Sequence, residues 1–399
     1  MLDYALAKVL SPFQSSVVNP SSLEKIQPTV LPNKPVVALY YTNWSILNHP
    51  EKPPHTLPYD QITNVNYAFF KINKRTGNVT HTDFHTDARL KLFMPYKRDS
   101  WFRTIQTLGL LGQFMNVKYA RVPELKVMMS VGGWGAKEDF KSLMTEEFKL
   151  NNFVKSTLSI IKTFDLDGVD IDWEYPENEK EAEYLVKLLQ VLRIQLDKAN
   201  KKPLFLSFAA PCGDREIIDL LDLKEMDKYL NFWNLMTYDF SGSWSEKVAH
   251  HSNLYGDDKT ELSCDSIVQH YISQGVTSQK IILGMPNYGR VFSGCNGEIG
   301  SKFKGTGCYK EGIVEFNRLP LLNTVEHFDS KLGAAYCYDP IKRYFISYDS
   351  NESARWKAKY VKKHELGGGF WWESSGDQNY LKNLEKSNVF QFVEELKRS

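Results

Sequence analysis

Asp167-Gly168-Val169-Asp170-Ile171-Asp172-Trp173-Glu174-Tyr175-Pro176 alternates acidic and apolar residues with the period of a β-strand. Side chains on a strand point alternately to its two faces, so Asp170, Asp172 and Glu174 share one face and Val169, Ile171 and Trp173 the other. At a rise of ~3.3 Å per residue, neighbouring carboxylates of the row start from Cα atoms ~6–7 Å apart. On both sides the period changes to that of a helix. Before the segment, Val154, Leu158 and Ile161 recur at helical spacing; after it, residues 179–199 place Leu185, Leu188, Leu189, Leu192 and Leu196 on one stripe, with Lys and Glu opposite.

Seven further short runs rich in β-branched and aromatic residues follow the same rhythm: VVALYY (36–41), VNYAFF (65–70), LKVMMSV (125–131), LFLSFAA (204–210), FWNLMTY (232–238), KIILGM (280–285) and GGFWW (368–372). Helix-like stretches at 265–274 and 352–363 fall between later runs. Strand and helix alternating eight times predicts an α/β fold of the (β/α)8 barrel type, with an open doubly wound sheet as the competing arrangement. One interval breaks the rhythm. The segment from the seventh run to the helix at 352 contains Gly294, Gly297, Gly300, Gly305, Gly307, Gly312 and Gly333, and short strand-like pieces AAYCYD (334–339) and YFISYD (344–349). A structureless loop of that length is improbable, so a small α+β insertion is expected at 293–349, between strand 7 and helix 7, on the C-terminal face. The barrel would then comprise 34–292 and 350–399. Residues 1–33, punctuated by Asn19-Pro20, Pro28, Pro32 and Asn33, read as an extension or linker that packs loosely.

The composition bounds the function. In 399 residues, 49 Lys and Arg balance 48 Asp and Glu to a net charge of +1, which argues against a nucleic-acid surface or a polybasic membrane anchor. No apolar run approaches the ~20 residues that span a bilayer. Near the start, Ala5-Leu6-Ala7 is interrupted by Lys8 and preceded by Asp3, so it does not read as a secretory signal. The 23 Phe, 21 Tyr and 9 Trp make 13% of the chain aromatic, which suits a ligand with flat apolar faces, such as a sugar. The five cysteines show no CxxC spacing for zinc; Cys295 and Cys308 could close a small loop in an oxidising compartment, and free thiols fit equally well. Three sequons, at Asn43, Asn78 and Asn351, are compatible with secretion without establishing it.

The acidic strand carries the chemistry. The inward face of a parallel barrel is normally Val, Ile and Leu, so three acids there are costly unless protonated, hydrogen-bonded or useful. Crowding and burial raise at least one of their pKa values. Glu174, last in the row, falls at the C-terminal mouth, where a carboxyl kept protonated near neutral pH is a general acid. A carboxylate metal site is the chemical competitor, but the neighbouring strands offer aromatics rather than further inward ligands, so no metal is expected. Gly132-Gly133 reads as close backbone packing at a strand end, not as a phosphate loop. His81, Asp83, His85 and Asp87 read as a solvated loop, and His250-His251 as a candidate lining of the cleft. The tandem Trp371-Trp372 must face opposite ways, with one in the core.

Segment 167–176, with SVGGW (130–134), MTYD (236–239), MPNYGR (285–290) and GGGFWWE (367–373) in that order, resembles the chitinases of glycoside hydrolase family 18, in the fungal-type branch that carries a chitinase insertion domain. The resemblance runs from about Pro35 and leaves 1–33 outside. It implies that Glu174 protonates the glycosidic oxygen. Asp172 would turn between Asp170 and the substrate's N-acetyl group, and Asp170 and Asp167 would hold the deeper part of that relay, backed by Tyr40 and Ser130. Tyr238 would bond the acetamido group beside Met236 and Asp239. Trp372 would form the floor under the sugar, Trp134 a neighbouring stacking platform, and Tyr288 and Arg290 contacts next to the scissile bond. The resemblance further implies hydrolysis of β-1,4-linked N-acetylglucosamine polymers with retention and N-acetyl participation, chitin or chitooligosaccharide as the only partner, no cofactor, no nucleic acid or membrane, a monomer, and an extracellular or cell-wall location. A chitin-binding lectin and an endo-β-N-acetylglucosaminidase share the same barrel and are the alternatives.

Overall fold

The structure is a computed structural model and describes residues 34–98, 101–199, 202–257 and 262–398. Eight parallel strands form its centre: β1 (Val36–Thr42), β2 (Asn64–Ile72), β3 (Lys126–Gly132), β4 (Gly168–Asp172), β5 (Phe205–Ala210), β6 (Phe232–Leu235), β7 (Ile281–Pro286) and β8 (Gly368–Trp372). All eight runs singled out in the sequence are strands. The sheet closes because β1 pairs with β2 (Ala38 to Asn64) on one side and with β8 (Val36 to Gly368) on the other. An open sheet is thereby excluded, and the expected (β/α)8 barrel stands.

Period-two alternation sorts the strand residues into two cores. Outward-facing Val169, Ile171, Trp173, Leu206, Phe208, Leu283 and Trp371 join the large shell beneath the helices. There α1 (Gly109–Ala120), α2 (Glu147–Phe164), α3 (Glu179–Ala199), α4 (Cys264–Ser273), α5 (Asn351–Lys363) and α6 (Asn388–Lys397) carry most of the matching apolar stripes. All five leucines of the α3 stripe are buried. Inward-facing Val36, Ala38, Tyr40, Phe232, Ile282 and Phe370 fill the barrel itself. Ser263 and Ser350 cap α4 and α5 with capping boxes, which fixes where those helices begin. At Gly168 a Cβ would lie 2.1 Å from the Phe205 carbonyl oxygen, so the acidic strand can enter the sheet there only as glycine.

Two residues after β7 the chain enters a second, antiparallel sheet of five strands, Tyr288–Ser293, Ile313–Glu315, Glu326–Asp329, Ala334–Asp339 and Tyr344–Tyr348. Its strands are linked in part by single turns of 3₁₀ helix, and it packs small cores of its own around Val291, Val314 and Ile346 and around Phe292 and Phe345. The sheet leaves from the C-terminal end of β7 and returns to α5. It is therefore a wall on the mouth side of the barrel. A two-stranded hairpin, Lys91–Arg98 with Trp101–Leu108, lies between β2 and α1 and has no counterpart in the sequence reading.

The polar segment 81–87 is not a solvated loop. Asp87 is fully buried and receives hydrogen bonds from Tyr67 and from Asn43 Nδ2 (2.9 Å), with His81 Nδ1 2.7 Å away. The buried carboxylate draws these donors inward, and Asp83 caps the short helix Phe84–Ala88. All five cysteines are free thiols, so Cys295 and Cys308 do not close a loop. The expected extension at 1–33 lies outside the described residues.

Candidate active site

Strand register brings the acids together. Ser130, Asp170 and Ser207 stand level across β3, β4 and β5. Asp170 is fully buried, and four donors converge on it: Tyr40 Oη (2.8 Å) and Ser130 Oγ (2.7 Å) on one oxygen, Ser207 Oγ (2.6 Å) and Asn234 Nδ2 (3.1 Å) on the other. Burial still holds its pKa above the ordinary aspartate value, although every one of those bonds works to lower it. Asp172, two residues on, is buried too, yet its Oδ1 has no hydrogen-bond partner among the described residues. Burial first, then the charges of Glu174 and Asp170, push its pKa well up. Glu174 is the partly buried member at the mouth. Burial, assisted by the negative charge of Asp239, pushes its pKa up to about 7, against the opposing bonds from Tyr175 and Asp172. The row therefore grades from a saturated, buried carboxyl to a proton-holding group that meets solvent.

Aromatic rings frame the mouth. Trp372 lies 5.4 Å from Tyr40 and stacks on Phe69 at 5.6 Å with a 25° interplanar angle. Trp371 points outward onto Phe392, as strand alternation requires. Tyr238 sits edge-on to Tyr288 (6.4 Å) and Phe370 (6.1 Å), with Met236 packed in the same cluster. Three tryptophans are unusually open for their size: Trp134 at 85%, Trp244 at 59% and Trp44 at 44% exposure. The glycines before Trp134 are required by close approach. A Cβ at Gly132 would lie 2.0 Å from the Asp172 carbonyl oxygen and one at Gly133 2.5 Å from the Phe69 ring, and both residues have positive φ.

At the junction with the second sheet, Asp239 adopts φ 59° and takes a two-pronged contact from Arg290, Nε and Nη2 each at 2.7 Å. Arg290 also lies over the Trp244 ring at 4.9 Å. His251, fully buried, stands 3.5 Å from Asp239 and against Tyr288 at 5.3 Å. Burial lowers its pKa against the opposing pull of Asp239. For Asp239 burial acts upward, but nearby His251 and the two bonds from Arg290 outweigh it and hold the carboxylate well below its usual range.

The geometry thus gathers Glu174, Asp172, Asp170, Tyr40, Ser130, Tyr238, Met236, Asp239, Tyr288, Arg290, Trp372, Gly132 and Gly133 about one mouth. Asp167 is the exception. An odd-numbered step from Asp170, it faces away from the relay and binds Lys118 Nζ (2.5 Å) and the Val127 amide (2.8 Å). It anchors the base of β4 and takes no part in the deeper relay assigned to it. Sequence reasoning missed Ser207, Asn234, Phe69, Trp44 and Trp244, and it gave His251 no partner. Ser207 and Asn234 are the polar interruptions of LFLSFAA and FWNLMTY at inward positions, a signal that was present. Among the described residues no group of three or more His, Cys, Asp or Glu is arranged to hold a metal ion. No helix among them is long and apolar enough to cross a membrane.

Residues 36–377 match the protein family described as Glycosyl hydrolases family 18. The chain is 35% identical over 399 residues to sporulation-specific chitinase 2 of Saccharomyces cerevisiae, covering 89% of this chain and 77% of that protein. It is 36% identical over 355 residues to endochitinase 1 of Metarhizium robertsii, covering 86% of this chain and 82% of that one. Among solved structures, the fold superposes on a chitinase from Cycas revoluta in complex with (GlcNAc)3, with a TM-score of 0.76 at 23% identity over 90% of this chain and 99% of that chain.

Proposed function

This chain belongs to glycosyl hydrolases family 18 and is a glycoside hydrolase; on that premise we propose that it cleaves β-1,4-linked N-acetylglucosamine chains, that is chitin, with retention of configuration and with the substrate's own acetamide as nucleophile. The observation that carries the reading is the unpartnered, buried Oδ1 of Asp172 beside a carboxyl whose pKa burial lifts to about 7. Glu174 gives its proton to the glycosidic oxygen as the C1–O bond breaks. The acetamido oxygen attacks C1 to form an oxazolinium ion, whose N–H is held by Asp172. Water then opens that ion at C1 and returns a proton to Glu174.

An ordinary retaining glycosidase needs a second carboxylate ~5–5.5 Å from the acid, across the bond. The candidates nearby do not supply one. Asp172 ends the strand that leads directly into Glu174 and so lies on the acid's own side, and Asp239 is committed to Arg290. The acetamide fills the gap. Tyr238 positions it, Trp372 carries the sugar ring, and Trp134 stacks the next unit. With Glu174 and Asp172 both present, the lectin alternative lacks the loss of acid it requires. An extracellular or cell-wall site of action belongs to the same proposal. The test is product analysis on fully acetylated and deacetylated oligosaccharides of equal length. Cleavage of the acetylated chain alone, with a β-anomer as the first product by NMR, is expected; efficient cleavage of the deacetylated chain defeats the mechanism.

A further inference from the structure

Away from the acid row, a network of charged and polar side chains joins three segments of the mouth. His49 ends the short helix Ser45–Asn48 that follows Trp44. Its Nε2 lies 2.8 Å from Glu315 Oε1 and its Nδ1 3.4 Å from Glu51 Oε1. Lys52 Nζ donates to the carbonyls of Ser375 (2.5 Å) and Asp377 (2.8 Å). Asn317 donates to the same two carbonyls, at 3.3 Å each, and to Glu315 Oε2 at 3.2 Å. The loop after β1, the loop after β8 and the second sheet thus meet in one clasp.

The clasp stands directly behind two aromatic groups of the mouth. On one side, the open Trp44 ring lies 6.0 Å from Phe69, which stacks on Trp372. On the other, Glu315 is the register partner of Tyr288 in the second sheet. Trp44 is held from its other flank as well, because Asn43 is bonded to Asp87 and Thr82. An exposed indole grips a sugar face usefully only if it is in place before the sugar arrives. We infer that His49 and Glu315 are positioning residues that fix the spacing between Trp44 and the wall carrying Tyr288, and so set how firmly the cleft holds sugar units beyond the reacting one. This inference rests on the chitin-cleaving reading of the site. His49 and Glu315 are 15% and 28% exposed, so the contact is partly screened and its effect is moderate.

The experiment uses the full chain with His49→Ala, Glu315→Ala and the double variant. It compares a soluble β-1,4-N-acetylglucosamine hexasaccharide with an aryl glycoside of the disaccharide, which occupies fewer sugar positions of the cleft. In each single variant KM for the hexasaccharide should rise roughly three- to tenfold, and no further in the double variant. The initial product lengths should shift, while kcat on both substrates and KM for the short glycoside stay within about twofold. Additive effects, an unchanged KM and product pattern, or an equal fall of kcat on both substrates overturn the inference, the last because it marks a merely structural contact. Wild-type protein that cleaves neither substrate defeats the reading of the site itself, and the inference with it. Wild-type cleavage with indifferent variants defeats the inference alone.

Discussion

Asp170 and Asp172 stand two residues apart on β4 and face the same interior, yet one is saturated by four donors and the other has a buried oxygen with none. The first is held still by donors from four other strands, and the second keeps one oxygen uncommitted among the described residues. A carboxyl of the second kind can offer that free oxygen to a ligand while the first stays locked in place.

Glu174→Gln removes the transferable proton and little else. It should lower kcat by about 10²–10⁴-fold while oligosaccharide affinity stays near the wild-type value. Parallel kinetics and calorimetric binding check this. The same variant has a consequence for stability. Because the folded-state pKa of Glu174 lies above its ordinary value, the group favours folding at acid pH and that contribution is lost as the pH climbs through about 7. Glu174→Gln should therefore melt a few degrees above wild type at pH 8, and the gap should close toward pH 4.

The alkaline limb of kcat/KM reports the loss of the acid's proton and should fall near pH 7, as a property of the coupled Asp172–Glu174 pair. Asp239 contributes to that position through its negative charge. Asp239→Asn should move the limb to lower pH by less than about one unit, since only one of several causes is removed. A limb that stays put or moves upward contradicts the assignment.

Gly133→Ala places a methyl group 2.5 Å from the Phe69 ring at a residue with φ +91°. Phe69 must then yield, and with it the stack under Trp372. A destabilisation of about 1–3 kcal/mol and a loss of activity greater than the loss of folded protein are expected, by chemical denaturation and turnover measured on the same preparation.

His81→Ala leaves the buried Asp87 carboxyl without its imidazole partner. Tyr67 and Asn43 remain as donors, so the cost should be about 1–3 kcal/mol. His81→Ala with Asp87→Asn should recover part of that loss, because no charge is then left in the interior.

The barrel was legible because its signal is local and repeated: eight short apolar runs with helix-like stretches between them, and an acidic strand whose alternation already separates core-facing Trp173 from cleft-facing Glu174. The hairpin at 91–108 escaped because it follows no barrel period and interrupts a β–α unit that otherwise reads as one connection. Asp87 escaped for a different reason. In sequence it sits among Thr, His and Asp, which is the composition of a loop, and only its long-range partners Tyr67 and Asn43 reveal burial. Asp167 was misassigned because its motif position was carried over in place of its strand parity, which sends it to the opposite face. His251 and the Asp239–Arg290 fork depend on the second sheet folding back over the mouth, which no local pattern announces.

The unpaired cysteines have a practical corollary. Four of the five are sequestered, and nothing in the architecture waits for oxidation. The polypeptide should accordingly withstand dithiothreitol throughout purification and be labelled selectively at Cys308.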